Sequence, residues 1–417
     1  MMNEEKTKSF SVSKQMVYES YLRVCDKNGS AGIDKQTIDM FNENLSGNLY
    51  KVWNRMSSGS YFPPAVPPQA GLIPKKQGGI RPLGIPTVGD RIAQGVAKDY
   101  LEPILEPLFH INSFGYRPGR SAHDALAQCQ QNCIHHSWVV DLDIKGFFDN
   151  ISHDWMMKMV SHHTEEKWVL LYIERWLKAG IEQADGSLAA RQKGTPQGGV
   201  ISPLLANLYL HHAFDKWMSK YFSSNPFERY ADDIIVHCSS KAEAEHLLAS
   251  IRERLGGFEL ELHPEKTKLV YCKNYLRKEQ HEHNSFTFLS YSFQPRSKPN
   301  TFGKHNKFMV FNAAICEKAK TFIRERIRSV FNPRNTQVSL ERVAIKLNPK
   351  IRGWLNYYSR FNPRVAGNVF LYLNGLIRRW IGEKYRLRGK KAIVNKYQSY
   401  IQLNTGLFVH WQKGIKY

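Results

Sequence analysis

The sequence predicts a chain in two parts: an α/β portion built around antiparallel hairpins, then an all-helical, strongly basic portion. Three observations carry this. Between about residue 60 and residue 298, short runs rich in β-branched and aromatic residues ("SWVVDLDI", "FERYADDIIVHC", "SFTFLSYSFQP") alternate with helical stretches ("EEKWVLLYIERWLKAG", "AEAEHLLASIRERLGG"). After about residue 300 only the helical period remains. Charge follows the same division. Residues 301–417 hold 24 Lys and Arg against 4 Asp and Glu, a net of +20 within a whole-chain net of +22.

The 417 residues suffice for two or three domains, and 42% hydrophobic content supports a large core. No run of about 18 apolar residues is present, and the polar start "MMNEEKTKSFSVSKQ" lacks the apolar centre of a secretory signal. The six cysteines form no CxxC pair, so neither a zinc site nor a disulfide framework is expected; reduced thiols in a bacterial cytoplasm are. A +20 segment of this length repels itself without a polyanion, and nucleic acid is the expected partner. An anionic membrane fits less well, because Trp, Tyr and Asn interleave the charge and no lipidation signal is visible.

Along the chain, residues 1–60 read as helical and end at the extended "YFPPAVPPQ". "AGLIPKKQGGIRPLGIP" reads as a hairpin turning at Gly78-Gly79, with a helix from Asp90. "SWVVDLDI" is a buried strand, and Ser152 can cap the next helix. Ser202 at an N-cap and Pro203 at the first helical position open "ISPLLANLYLHHAFDKWMSKYF". The hairpin turning at Ala231-Asp232-Asp233 follows, and Ser240 with Glu243 forms a capping box. "FELELHPEKTKLVYC" and "SFTFLSYSFQP" read as strands. A boundary is expected near Gln294–Gly303. Asn312 and Ser339 are expected caps for the helices beyond it, beginning with "AAICEKAKTFIRERIRSVF".

Two adjacent aspartates at a hairpin tip repel each other unless a cation lies beside them. Alternation puts Asp141 and Asp143 on one strand face, with Asp143 near the end where it can meet Asp232 and Asp233. Three such carboxylates suit two Mg²⁺ ions roughly 3.5–4 Å apart, one activating a primer 3′-hydroxyl and one neutralising pyrophosphate. Phe148 can pack against the sugar of an incoming nucleotide and exclude a 2′-hydroxyl, whereas Phe147 points to the core. Gln197, with Gly198 and Gly199, can approach a nucleotide closely. Lys75 and Arg81, on opposite hairpin arms, can reach a triphosphate. Arg117 and Arg120 suit a nucleic-acid backbone. Lys266 and Lys268 sit on one strand face toward template or water. The histidine doublets (135–136, 162–163, 211–212) and "HEH" at 281–283 lack a coherent partner set and read as non-ligands.

Taken in order, "IPKKQGGIRPLGIPTVGDR", "FGYRPGRSAHDAL", "DLDIKGFFDNISH", "GTPQGGVISPLLANLYL" and "YADD" resemble the reverse transcriptase blocks of group II intron-encoded proteins. "NPKIRGWLNYYSRF" and the helices after it resemble their maturase region, so the likeness covers roughly residues 20–417. It implies a right-hand polymerase of fingers, palm and helical thumb. The expected divisions are residues 1–60 as a fingers extension, 61–298 as fingers and palm, 299–383 as thumb/maturase, and 384–417 as a basic, reduced DNA-binding extension. By resemblance, Asp143, Asp232 and Asp233, with the Ile144 carbonyl, match the metal ligands. Phe148 matches the sugar gate, Gln197 and Gly198 the nucleotide-side residues, and Lys75 and Arg81 the triphosphate pair. Arg352, Arg378, Arg379, Lys384, Arg386 and Arg388 are the expected basic contacts of the helical part.

The implied partners are a group II intron RNA, a DNA target and primer, and deoxynucleotides, with Mg²⁺ and no zinc. Many members carry a zinc-supported HNH endonuclease. The ending "GLFVHWQKGIKY" resembles the shorter members without it, which implies a primer from another source. Two other readings share these motifs: a splicing cofactor without polymerase activity, and a domesticated reverse transcriptase of defence or repair.

Overall fold

The computed structural model describes residues 8–65, 72–74, 80–82, 84–182, 188–196, 198–299 and 307–416. Eleven strands lie among them. They are β1 Leu72–Pro74, β2 Ile80–Pro82, β3 Trp138–Asp143, β4 Ile181–Glu182, β5 Leu188–Ala189, β6 Phe227–Tyr230, β7 Asp233–Cys238, β8 Lys268–Tyr271, β9 Phe286–Phe288, β10 Tyr291–Pro299 and β11 Lys307–Ile315. The central sheet runs in the order β6-β7-β3-β8, and β11-β10-β9 form a second sheet. The chain divides into two units, Met1–Ser121 with Leu142–Val236 and Glu245–Thr267, and Ala122–Asp141 with His237–Ala244 and Lys268–Tyr417; the division passes through β3 and β7.

In the first unit the N-terminal helix Lys14–Asp26 starts at Ser13, whose hydroxyl accepts from Met16 N. It lies against the helix Val88–Leu105, where the buried Ser20 hydroxyl donates to Ile92 O at 2.8 Å. The hairpin β6–β7 pairs Tyr230 with Asp233, so its loop is only Ala231-Asp232. The helix Ser202–Leu210 is capped by Ile201, one residue earlier than expected, because the Ser202 hydroxyl turns back to Pro196 O at 2.9 Å. It runs into a π-helical turn, His211–Asp215, and then Lys216–Tyr221.

In the second unit β3 pairs with β8 from Trp138↔Tyr271 to Asp141↔Lys268. β9 and β10 form a hairpin whose loop residues Leu289 and Ser290 both have positive φ, 49° and 67°, as a tight two-residue turn requires. The helix Leu340–Tyr358, capped by Ser339, buries Leu340, Val343, Ala344, Leu347, Ile351 and Leu355, a three-and-four spacing that makes one apolar stripe. That stripe joins Ile323 and Ile327 of Glu317–Val330, Leu373 and Ile377 of Leu371–Lys384, and Tyr397, Ile401 and Trp411 in one core.

Several expectations are corrected here. Residues 301–417 are not helical throughout, since β11 pairs with β10 along nine positions. Asn312 is buried in β11 opposite Gln294 and caps nothing; the helix starts at Glu317 after Cys316. Of the expected boundary segment, residues 294–299 lie in β10. Within residues 384–417, Tyr397, Ile401, Phe408, Val409 and Trp411 belong to the helical core. In "FELELHPEKTKLVYC" only Lys268–Tyr271 is a strand, because the backbone turns at residues 264–266.

Candidate active site and nucleic-acid interface

Asp143 ends β3 and Asp233 begins β7, and these strands are neighbours in the sheet. Asp232 occupies the hairpin loop between. All three are half-buried. Beyond Asp143 the chain continues as an antiparallel bridge, Ile144↔Leu262, in which His263 N donates to Asp143 O (2.7 Å) and Lys145 N donates to Glu261 O (2.8 Å). In that pattern the Ile144 carbonyl points to the opposite edge, the side on which β7 lies. Three carboxylates and one carbonyl are a hard, all-oxygen donor set, which fits Mg²⁺ rather than zinc. Lys266 Nζ stands 3.4 Å from Asp143 Oδ2 and supplies a positive charge at this position.

The tip is held from behind by residues the sequence reading missed. Ala231 has φ +58°, a left-handed conformation costing a non-glycine residue about 1–2 kcal/mol. Arg229 Nη1 donates to its carbonyl (3.2 Å) and to Asn207 Oδ1 (2.9 Å). The rest of the guanidinium makes a bidentate pair with Asp215, Nε to Oδ1 at 2.8 Å and Nη2 to Oδ2 at 2.6 Å, with both side chains fully buried. The π-helical turn delivers Asp215; such turns recur at functional sites. Asn207 also donates to Gly115 O at 2.7 Å. Gly115 lies so close to the tip that a Cβ there would sit 2.4 Å from Ala231 N. The loop residues 112–114 add to the edge of β6, where Phe114 N donates to Arg229 O (2.8 Å) and Arg229 N to Asn112 O (2.9 Å).

Phe147 is buried and Phe148 is half-buried, their rings edge to face at 5.3 Å. The loop before the helix Ser202–Leu210 knits to them. Thr195 N donates to Phe148 O (2.8 Å) and Gly194 N to Ile151 O (2.7 Å). Gly194 has φ +83°, and a Cβ there would lie 2.7 Å from Asp149 O. The far end of the loop hangs on a buried network. Val200 N donates to Gln94 Oε1 (2.7 Å), and Gln94 donates to Asp90, which also accepts from Tyr61 (2.7 Å) and Trp176 (2.9 Å). Burial raises the Asp90 carboxyl, and these three donors oppose the shift. Gly198 is exposed with φ +109°. Gln197 and Lys75 lie outside the described residues. Arg81 is on β2 opposite Ile73, in the antiparallel pair expected there.

The basic candidates separate. Arg117 is 9% exposed and spends its guanidinium on Glu106 (Nη2 to Oε1 2.8 Å) and on the carbonyls of His110 and Ser113 (both 2.7 Å). It braces the loop. Arg120 is half-buried over the Phe114 ring. Lys266 lies in the turn before β8, not on a strand face with Lys268; Lys268 is exposed. In the helical unit Arg352, Arg379, Arg386 and Arg388 are exposed, and Arg378 lies over the Tyr397 ring at 5.7 Å. Lys384 donates to Thr336 O at 3.1 Å.

An aspartate pair on a hairpin tip beside a strand that ends in a third aspartate is the arrangement of a nucleic-acid polymerase palm. The family model described as reverse transcriptase (RNA-dependent DNA polymerase) matches residues 73–293, and that of the group II intron, maturase-specific domain matches residues 320–398. The chain belongs to the reverse transcriptase family and carries a maturase-specific domain. Protein YkfC of Escherichia coli is 30% identical over 331 residues, covering 70% of this chain and 81% of that protein. The group II intron-encoded protein LtrA of Lactococcus lactis subsp. cremoris is 36% identical over 203 residues, covering 48% of this chain and 33% of LtrA. An uncharacterized 91 kDa protein in a cob intron of Schizosaccharomyces pombe is 25% identical over 467 residues, covering 94% of this chain. The chain thus spans about a third of the length of LtrA and 55% of the length of the 91 kDa protein. Among solved structures, telomerase from Candida albicans matches 91% of this chain at a TM-score of 0.44 and 11% identity, too loosely to carry an argument. Among the described residues no helix is long and apolar enough to cross a membrane.

Proposed function

We propose that this reverse transcriptase copies RNA into DNA at the Asp143, Asp232 and Asp233 site, and that it binds a group II intron RNA, assists its splicing and copies it at a DNA target. The observation that carries the catalytic part is the adjacency of β3 and β7, one ending in Asp143 and the other beginning at Asp233. Mg²⁺ bound by these carboxylates and the Ile144 carbonyl would supply Lewis acidity to the attacking hydroxyl and the leaving pyrophosphate. Asp143, Asp232 and Asp233 hold the acidic face toward the primer end. Arg229 keeps the tip in its left-handed turn, and Phe148 selects deoxynucleotides by its bulk. Lys75, Arg81, Gln197 and Gly198 bind the triphosphate and sugar. The exposed arginines of the helical unit meet the RNA backbone.

Mg²⁺-dependent extension of a DNA primer on RNA by the purified protein tests this reading. Asp232→Asn should abolish extension and leave RNA affinity nearly intact. Normal extension by that variant would remove the catalytic assignment. RNA binding without any extension by the wild-type chain would favour the splicing-cofactor reading. A reading frame outside any folded intron RNA would favour the domesticated one.

A further inference from the structure

Two histidine doublets that look unrelated in sequence meet in the first unit. His163 Nε2 and His212 Nε2 lie 2.9 Å apart, and the His162 ring is 4.9 Å from that of His163. They close one side of an open cavity of about 950 Å³ that is also lined by the helix Lys216–Tyr221. That volume lies at the upper end of the roughly 300–1,000 Å³ usual for small-molecule sites.

The helix presents two parallel stripes to the cavity. Lys216 and Lys220 are four residues apart, as are Trp217 and Tyr221, and such pairs share a helix face. Tyr221 is 61% exposed. Arg254 adds a third cation, fixed by bonds from Nε to Ala213 O and from Nη2 to His212 O, both 3.0 Å. The lining acid, Asp215, is already neutralised by Arg229. Burial holds His211 and His212 neutral, down to about 4. The cavity therefore offers net positive charge, uncharged imidazoles able to donate or accept, and two partly exposed aromatic rings, Trp217 tilted against Phe222 (4.9 Å) and Tyr221 with Lys220 Nζ 5.1 Å from its ring. A metal cation would meet imidazoles but also three repelling cations, Lys216, Lys220 and Arg254. An anion attached to a flat ring meets complementary groups throughout.

We propose that this cavity receives one nucleotide of single-stranded RNA, its base on Trp217 and Tyr221 and its phosphate on Lys216 and Lys220. The proposal rests on the reading of the chain as an RNA-binding polymerase and adds an RNA contact lined by none of the three acidic-site aspartates. Asp215 lines the cavity and holds Arg229, so the receptor adjoins the brace of the catalytic tip.

The test is ultraviolet crosslinking of the full chain to a hexauridylate carrying 5-iodouridine, with peptide mapping. Crosslinks should fall within residues 216–221. The concentration for half-maximal crosslinking there should rise about tenfold in K216Q/K220Q, whose exposed side chains can change without unfolding the chain. W217A/Y221A should lose the crosslink while primer extension is retained. Crosslinks only in other segments, or an unchanged half-maximal concentration in K216Q/K220Q, would overturn the proposal. Absence of primer extension by the wild-type chain would count against the polymerase reading alone, because the mapping does not depend on it.

Discussion

Arg229 and Asp215 form a fully buried, bidentate ion pair directly behind the hairpin that carries Asp232 and Asp233. Removing one member leaves an uncompensated charge in the core. Arg229→Met is expected to cost about 3–5 kcal/mol in urea denaturation. Pairing it with Asp215→Leu should restore much of that stability. Primer extension should stay impaired in the pair, because the bond from Arg229 to Ala231 O is gone. Recovery of both properties together would show that the pair does not position the tip.

Lys266 and the metal would draw on the same carboxylate. The ion pair is about one-third exposed and is worth little to stability, about 0–1 kcal/mol. Lys266→Ala should therefore fold normally and reach half-maximal extension at a lower Mg²⁺ concentration than the wild type. A magnesium titration reads this directly. EDTA should stop extension in both.

Phe148 is half-buried and braced edge-on by Phe147. On its proposed role, shortening it would open space beside the sugar. Phe148→Ala should raise ribonucleotide incorporation relative to deoxynucleotide incorporation in single-turnover assays. Phe147→Ala acts differently: it empties a core site at a cost of about 3–5 kcal/mol, without a specific gain for ribonucleotides.

Burial lowers His211 and His212 to about 4 and His410 to about 3, against an ordinary value near 6.5. Between these values the unfolded chain takes up protons that the folded chain refuses. Stability from these groups is therefore full above about pH 6.5 and is lost as pH falls toward about 4 for His211 and His212 and about 3 for His410. The urea midpoint should drop between pH 7.5 and pH 5, and His212→Gln should make that drop shallower. An equal drop in the variant would assign the acid sensitivity to other groups.

Local chemistry made much of the fold legible. Ser339 caps its helix as expected, the Ser240 hydroxyl accepts from Glu243 N (3.2 Å) while Glu243 Oε2 accepts from Ser239 N (2.7 Å) one residue earlier, and the hairpin around Asp232 was readable from alternation. The losses came where distant chain decides. Arg117 carries the same charge whether exposed or braced by Glu106, and only tertiary packing tells which. β11 carries mixed signals, with "NAAIC" resembling a helix start, and its pairing with β10 overrides them. Nothing in the spacing of Asp215 and Arg229 marks them as partners, because a π-helical turn shifts Asp215 off the regular helical register. The histidine doublets are 49 residues apart at their point of contact, beyond any local pattern.

Exchanging glycine for alanine often hardens a protein against heat, by narrowing what the unfolded chain can explore. Gly115 is a place where that recipe works backwards. A methyl group there would press into the backbone at Tyr230 and Ala231 and shift the acidic tip it leans on. An effort to make a more heat-tolerant copying enzyme from this chain should change other glycines and leave this one bare.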